Sequence, residues 1–294
     1  MRADRQPLGA ILMTTLCMLA CQKEQPSAPP PATAGTVVGR VTDLDTPSSL
    51  VVGAIVTIGG RWAVTGSGGD FLIQGVPVGT QTVTSAASGY DPYSDRVDVV
   101  AGAPVRKNLS MQRTVHQVVL VPVADAYSNS DSPATNYGSD LNLNTRNMNP
   151  VGTADYTAFI QFDVSAIPPD ATILGAILTL SPARDRDFLT AAGYTVVYRV
   201  AGPAWTESGL TYQNQPSPFP TSVWVRYVTF AEDPSVDFNV EDAVKAWVNL
   251  GNPNYGLMLK TSLIPAAPNR AAFYSREAAN GNNVFLTVRY FNPL

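Results

Sequence analysis

Short apolar runs, broken at close intervals by Gly, Pro, Asn, Asp and Ser, recur along the chain from Thr36 to its end. That pattern predicts strands and turns rather than helices. Between residues 36 and 112 the strand-like runs are Val37–Val41, Ala54–Ile58, Trp62–Thr65, Phe71–Ile73, Thr80–Thr84, Ser88–Tyr90 and Val97–Val100. Gly66–Asp70 and Gly75–Gly79 are the turns among them. Beyond residue 115 the runs are Val118–Val121, Ala158–Phe162, Thr172–Leu180, Thr195–Val200, Trp224–Phe230, Tyr255–Lys260 and Phe285–Tyr290. One segment has the helical period instead. Val240, Ala243, Val244 and Trp247 fall at i, i+3, i+4 and i+7, starting near polar Asn239, and predict a short helix plugging one end of a sandwich.

The N-terminus has a different pattern. Arg2 and Arg5 precede an apolar run from Leu8 to Ala20, too short to span a bilayer, which takes about 20 residues. Both cysteines, Cys17 and Cys21, lie here. Met18-Leu19-Ala20-Cys21 resembles a bacterial lipobox, with Met18 where Leu is usual. The resemblance implies cleavage before Cys21 and lipidation of that residue. The formal charge would then move from −4 to −5 as Arg2, Asp4 and Arg5 leave, and no disulfide could form. Two-chain lipid anchoring is what stable membrane attachment requires. Residues 21–35 follow as a tether rich in Pro26, Pro29, Pro30 and Pro31, able to hold the body up to ~40 Å from a membrane. Gln22 after the cysteine is no aspartate-type retention signal, which favours the outer membrane or cell surface.

Length and composition divide the rest. At roughly 150 residues per domain, 294 residues suit one large domain or two ordinary ones. All 17 asparagines lie at or after Asn108 and nine of the ten phenylalanines follow Arg113, so a boundary falls near 113–117. The expected organisation is a signal peptide (1–20), the tether (21–35), and two bodies, 36–113 and 114–294. A net charge of −4 carries no basic footprint for nucleic acid. His116, the single histidine, sits in the presumed linker and is read as solvated. A histidine-based nucleophile site and Cys/His metal sites therefore have no basis.

Two resemblances refine this division. Gly39-Arg40-Val41, Gly53–Val56, Asp70-Phe71, Gly75–Thr80 and Ser88-Gly89-Tyr90, in that order, make residues 36–112 resemble the carboxypeptidase regulatory-like domain. This implies a small transthyretin-like or Ig-like β-sandwich without catalysis, a spacer or adhesion module. Ala124–Tyr127, Asn136-Tyr137-Gly138, Phe162-Asp163-Val164, Ile167-Pro168, Trp205–Pro216, Asp242–Trp247, Asn254–Leu257 and Phe273–Glu277 make the second body resemble the DNRLRE (disaggregatase-related) domain, which overlaps carbohydrate-binding modules. That resemblance implies a larger, jelly-roll-like, extracellular β-sandwich that sometimes binds polysaccharide. The fold class is all-β.

The candidate chemistry is recognition. Sugars stack on aromatic faces and pair with planar polar groups, so Tyr137, Trp205, Tyr212, Trp224 and Tyr274 are candidate platform residues. Arg276 is a candidate for a uronate carboxylate, with Glu277 beside it. Asp125, Asn129, Asp131 and Asn136, read as one polar loop, are candidate calcium ligands, although the same residues are ordinary turn formers. No cofactor is required, and calcium is the one candidate. Glu207 and Glu277 are the best-placed carboxylates for glycoside hydrolysis, but their neighbours Thr206 and Arg276 suggest loop-fixing contacts. The reading is a non-catalytic, lipid-anchored envelope protein whose second sandwich binds polysaccharide or another surface ligand. An adhesive or structural surface protein is the alternative, a polysaccharide-cleaving enzyme a third.

Overall fold

The computed structural model describes residues 33–147, 154–183, 192–229, 235–261, 270–279 and 284–294. Cys21, the lipobox and the tether up to Ala32 lie outside the described residues. Eight strands build the first body: β1 (Ala34–Asp43), β2 (Ile55–Ile58), β3 (Arg61–Val64), β4 (Asp70–Pro77), β5 (Gly79–Ala86), β6 (Tyr93–Val99), β7 (Val105–Arg106) and β8 (Leu109–Met111). The second body contains β9 (Val115–Leu120), β10 (Pro122–Asn129), β11 (Asn142–Arg146), β12 (Tyr156–Phe162), β13 (Thr172–Leu180), β14 (Ala192–Gly202) and β15 (Ser217–Thr229). Then follow β16 (Val236–Asn239), the helix α1 (Glu241–Val248), β17 (Leu257–Thr261), β18 (Arg270–Tyr274) and β19 (Val284–Phe291). Among the described residues the protein is all-β apart from α1.

In the first body a sheet ordered β4-β1-β7, with β8 also on β1, faces a sheet ordered β3-β2-β5-β6. Period-2 burial makes the sandwich: Val37 and Val41 of β1, Val56 and Ile58 of β2, Phe71 and Ile73 of β4 and Val83 of β5 all point inward. The motif glycine Gly39 has a packing reason, because a Cβ there would lie 1.8 Å from the Lys107 carbonyl oxygen. The fold departs from expectation at two points: Ser88–Tyr90 is a turn whose Tyr90 only bridges Arg113, and β1 begins at Ala34, inside the expected tether. The short β7 and β8 run parallel to β1.

The second body places a large sheet, β15-β14-β17-β12-β11-β18 with β10 also on β12, against β16-β13-β19-β9. Phe162, Leu178, Phe238, Leu259, Phe273 and Leu286 fill the space between them. Helix α1 forms on the predicted stripe and packs against the main core, burying Ala243, Val244, Ala246 and Trp247. Asn239 accepts the Glu241 N–H (3.0 Å) before its first turn, and Asn249 at its end donates to the Pro169 and Ala171 carbonyls (2.9 Å each).

The solvated-linker reading of His116 does not hold. It lies in β9 opposite Tyr290 of β19, stacks on that ring (centroids 5.6 Å apart), and its Nε2 is 3.1 Å from Asn292 Nδ2. Strand pairing leaves no free linker at this point. Arg113 sits over the Phe291 ring and donates to the Asn292 carbonyl.

Candidate functional site at the covered face of the large sheet

Alternating burial fails in β10 and β12, and that failure locates the site. Thr157, Ala158, Phe159 and Ile160 are all buried in succession, as are residues 124–128 of β10. A strand buried on both sides has both faces covered. One face looks into the main core. On the other, Ala126, Phe159, Val200, Leu210 and Met258 form a second apolar cluster, with Tyr198, Trp205 and Tyr255 packed against it.

Its cover is the loop from Pro203 to Pro216, which is held by side-chain amides and aromatic contact. The Trp205 indole packs 5.8 Å from Phe159, and its Nε1 donates to the Tyr255 carbonyl (2.8 Å). Asn136 Nδ2 donates to the carbonyls of Glu207 (2.7 Å) and Leu210 (2.8 Å), while its Oδ1 accepts the Gly138 N–H. Gly138 lets the two segments meet, since a Cβ there would lie 2.4 Å from the Glu207 carbonyl oxygen. Asn214 ties the loop to itself through Thr211 N (2.7 Å) and Gly209 O (2.8 Å). Ser128 Oγ donates to Gln215 (2.7 Å).

The loop shapes a cleft of about 340 Å³ lined by Pro203, Ala204, Trp205, Thr206, Gly209, Leu210 and Asn214. An aromatic wall beside hydroxyl and amide groups suits a ring with one apolar face and equatorial hydroxyls. A second cleft, about 410 Å³, lies beside α1 and includes Arg199, Phe219, Asp242 and Lys245. The Arg199 guanidinium stacks 3.7 Å above the Phe219 ring there.

Next to the first cleft, three carboxylates converge. Asp125 of β10, Glu207 of the loop and Glu277 of the turn after β18 bring oxygens within 4.8 Å of one another. Asp125 is 1% exposed. Glu207 accepts the Asp125 N–H (3.0 Å), and Asp125 Oδ2 accepts the Arg276 N–H (2.9 Å). Arg276 Nε lies 2.8 Å from Glu277 Oε1 and 3.3 Å from Glu207 Oε1, and its Nη1 donates to the Val123 carbonyl (2.7 Å). Burial pushes the Asp125 carboxyl up to about 8; the Arg276 N–H opposes this, and the charges of Glu277 and Glu207 add to it. The Glu277 carboxylate beside it raises Arg276.

The residues expected to form one aromatic platform are distributed otherwise. Tyr137 stacks on Tyr127 (4.4 Å) and accepts from Asn129 Nδ2, so it packs inward. Trp205 lines the cleft, Trp224 is 44% exposed on edge strand β15, Tyr212 is half-buried in the loop, and Tyr274 is half-buried in β18. Arg276 is taken up by Glu277, Glu207 and the Val123 carbonyl.

The polar-loop reading needs correction. Asp125 and Asn129 lie in strand β10, because β10 pairs with β12 over Pro122–Asn129. Asn129 Oδ1 caps the turn at Asp131, and Asn136 clamps the loop, so Asp125 meets Glu207 and Glu277 rather than these three. Pro203 and Asn214 were not singled out from the sequence. Asn214 lies within the Trp205–Pro216 stretch, which is its signal; Pro203 precedes that stretch and has none.

Residues 116–290 match carbohydrate-binding module family 96, and the chain belongs to that family. Residues 36–112 match the carboxypeptidase regulatory-like domain. No curated protein matches the chain. Among solved structures it is similar to the major pilin subunit BcpA of Bacillus cereus (13% identity, TM-score 0.28, 88% of this chain and 58% of that one). It is also similar to a DUF3823 family protein from Parabacteroides merdae (13%, TM-score 0.23, 86% and 98%) and to the major pilin SpaD of Corynebacterium diphtheriae (11%, TM-score 0.23, 87% and 57%). The chain thus spans little more than half the length of the two pilins. At these scores the likenesses carry no argument.

Proposed function

We propose that the protein is a non-catalytic, lipid-anchored cell-envelope component whose second sandwich binds polysaccharide at the Trp205 cleft, the first sandwich serving as stalk. The observation that carries this reading is family membership over residues 116–290, joined to a cleft of sugar-ring size with an aromatic wall. Trp205 supplies the stacking face, while Thr206 and Asn214 supply hydrogen bonds to hydroxyls. The lining of this cleft carries no charged side chain, which favours neutral glycans there. Anchoring rests on Cys21 and the sequence around it. Among the described residues no helix is long and apolar enough to cross a membrane.

The test is affinity gel electrophoresis of the chain from Gln22 onward against a panel of neutral and acidic polysaccharides. Retardation by at least one, weakened about tenfold or more in Trp205→Ala, supports the reading. Mobility unchanged by every polysaccharide sinks it. An adhesive role is the second reading, and one observation favours it. Ile55, Trp62 and Val64 stand 50, 68 and 50% exposed on the β2–β3 hairpin, an apolar strip of the kind that meets a protein partner.

A further inference from the structure

The carboxylate cluster is built in a way that loop fixing alone does not explain. Asp125 and Glu277 each commit one oxygen to the protein and leave the other buried with no hydrogen-bond partner. For Asp125, Oδ2 is held by the Arg276 N–H and Oδ1 is bare. For Glu277, Oε1 is held by Arg276 Nε and Oε2 is bare. Glu207 engages Arg276 and the Asp125 N–H through Oε1. Buried polar atoms are nearly always paired, and the Asp125 and Glu277 carboxyls meet side chain to side chain, so either a shared proton or an electropositive ion must join them. Among the described residues Arg276 is the one cation whose contacts reach the cluster, so a single guanidinium faces three carboxyl groups.

We propose that Asp125, Glu207 and Glu277 bind a single calcium ion. Oxygens sharing a calcium ion at about 2.4 Å lie no more than about 4.8 Å apart. The three carboxylate oxygens lie within 4.8 Å of one another. Calcium also accepts irregular oxygen cages, and the half-exposed rim at Glu207 and Arg276 lets water complete the shell. The three ligands come from β10, the 203–216 loop and the turn after β18. The ion therefore pins the loop that carries Trp205, two residues before Glu207, onto the sheet. This proposal is independent of the glycan reading, and its readout involves no glycan.

The experiment is calorimetric titration of the chain from Gln22 onward, after EGTA treatment and desalting, with CaCl₂ and separately with MgCl₂. Thermal melts in EGTA and in excess of each metal accompany it. One calcium bound per chain and a melting temperature raised by roughly 5–10 °C at a hundredfold excess over Kd are expected, with a much smaller magnesium effect. Asp125→Asn and Glu277→Gln should each abolish both signals. Should Asp125→Asn fail to fold, Glu277→Gln, nearer the surface, carries the test. No calcium heat and no shift in the unaltered chain would overturn the proposal. So would a calcium signal that survives in Glu277→Gln, or one that magnesium reproduces.

Discussion

Asn136→Ala strikes the clamp that shapes the cleft. The side chain makes two short hydrogen bonds, to the Glu207 carbonyl at 2.7 Å and to the Leu210 carbonyl at 2.8 Å, both partly buried. Each is worth about 1 kcal/mol net, and leaving the carbonyls unpaired in a half-dry place adds to the loss, so ~2–3 kcal/mol is expected. For a body of this size that lowers the melting temperature by roughly 5–10 °C. The assay is thermal unfolding followed by tryptophan fluorescence, which includes Trp205 in the loop. Polysaccharide affinity, measured well below the melt, should also fall, because Trp205 and Asn214 lose their shared frame. Asn249→Ala is the control: it removes two bonds of similar length, to Pro169 and Ala171 at the far end of α1, and should cost similar stability without touching affinity. A melting shift in Asn136→Ala below about 1 °C would refute the clamp. Equal affinity losses in both variants would refute its link to the cleft.

Gly138→Ala should weaken both stability and binding by pushing a methyl to 2.4 Å from the Glu207 carbonyl oxygen, a backbone atom that cannot swing aside; overpacking of this kind costs ~1–3 kcal/mol and a thermal melt measures it. In the first sandwich, burial and then the hydrogen bond to Asp43 push the Tyr90 hydroxyl up to about 12 from its ordinary 10. The folded state then holds this proton more tightly than the unfolded chain. The Tyr90 contribution is intact below pH 10 and falls by up to ~2–3 kcal/mol between pH 10 and 12; Tyr93, also raised by burial, adds to the decline, so urea melts should show a smaller loss in Tyr90→Phe than in the unaltered chain. Cys21→Ser should shift the full-length protein from the membrane to the soluble fraction of cells; retention in the membrane would count against the lipid anchor.

Most of the strand framework was legible because apolar runs such as Thr172–Leu180 and Phe285–Tyr290 serve two sheets packed face to face, where burial and sequence pattern coincide. Helix α1 was legible for the same reason, one stripe facing one core. Most of the strands that escaped notice are polar or very short. β10 carries Asp125, Ser128 and Asn129, and β11 carries Asn142, Asn144 and Thr145, so they resemble turns until a partner strand satisfies their backbone. His116 escaped because a strand pair, not its own neighbours in sequence, gives it Tyr290. The site was half legible. Trp205, Glu207 and Glu277 stood out as members of distinctive local stretches. Nothing local could show that Asp125, 82 residues before Glu207, shares their corner, since long-range sheet pairing brings it there. Arg276 looked available for an acidic sugar because its neutralising partner Glu207 is distant in sequence.

The central claim is that the second sandwich is a glycan reader whose contact surface is the Trp205 cleft. The most direct measurement is the affinity of the chain for the polysaccharide that retards it most, compared with Trp205→Ala and with Trp224→Ala, an exposed indole elsewhere on the second body. The account predicts a loss of about tenfold or more in Trp205→Ala, with Trp224→Ala near the unaltered value. Unchanged binding in Trp205→Ala, or a loss confined to Trp224→Ala, would contradict it.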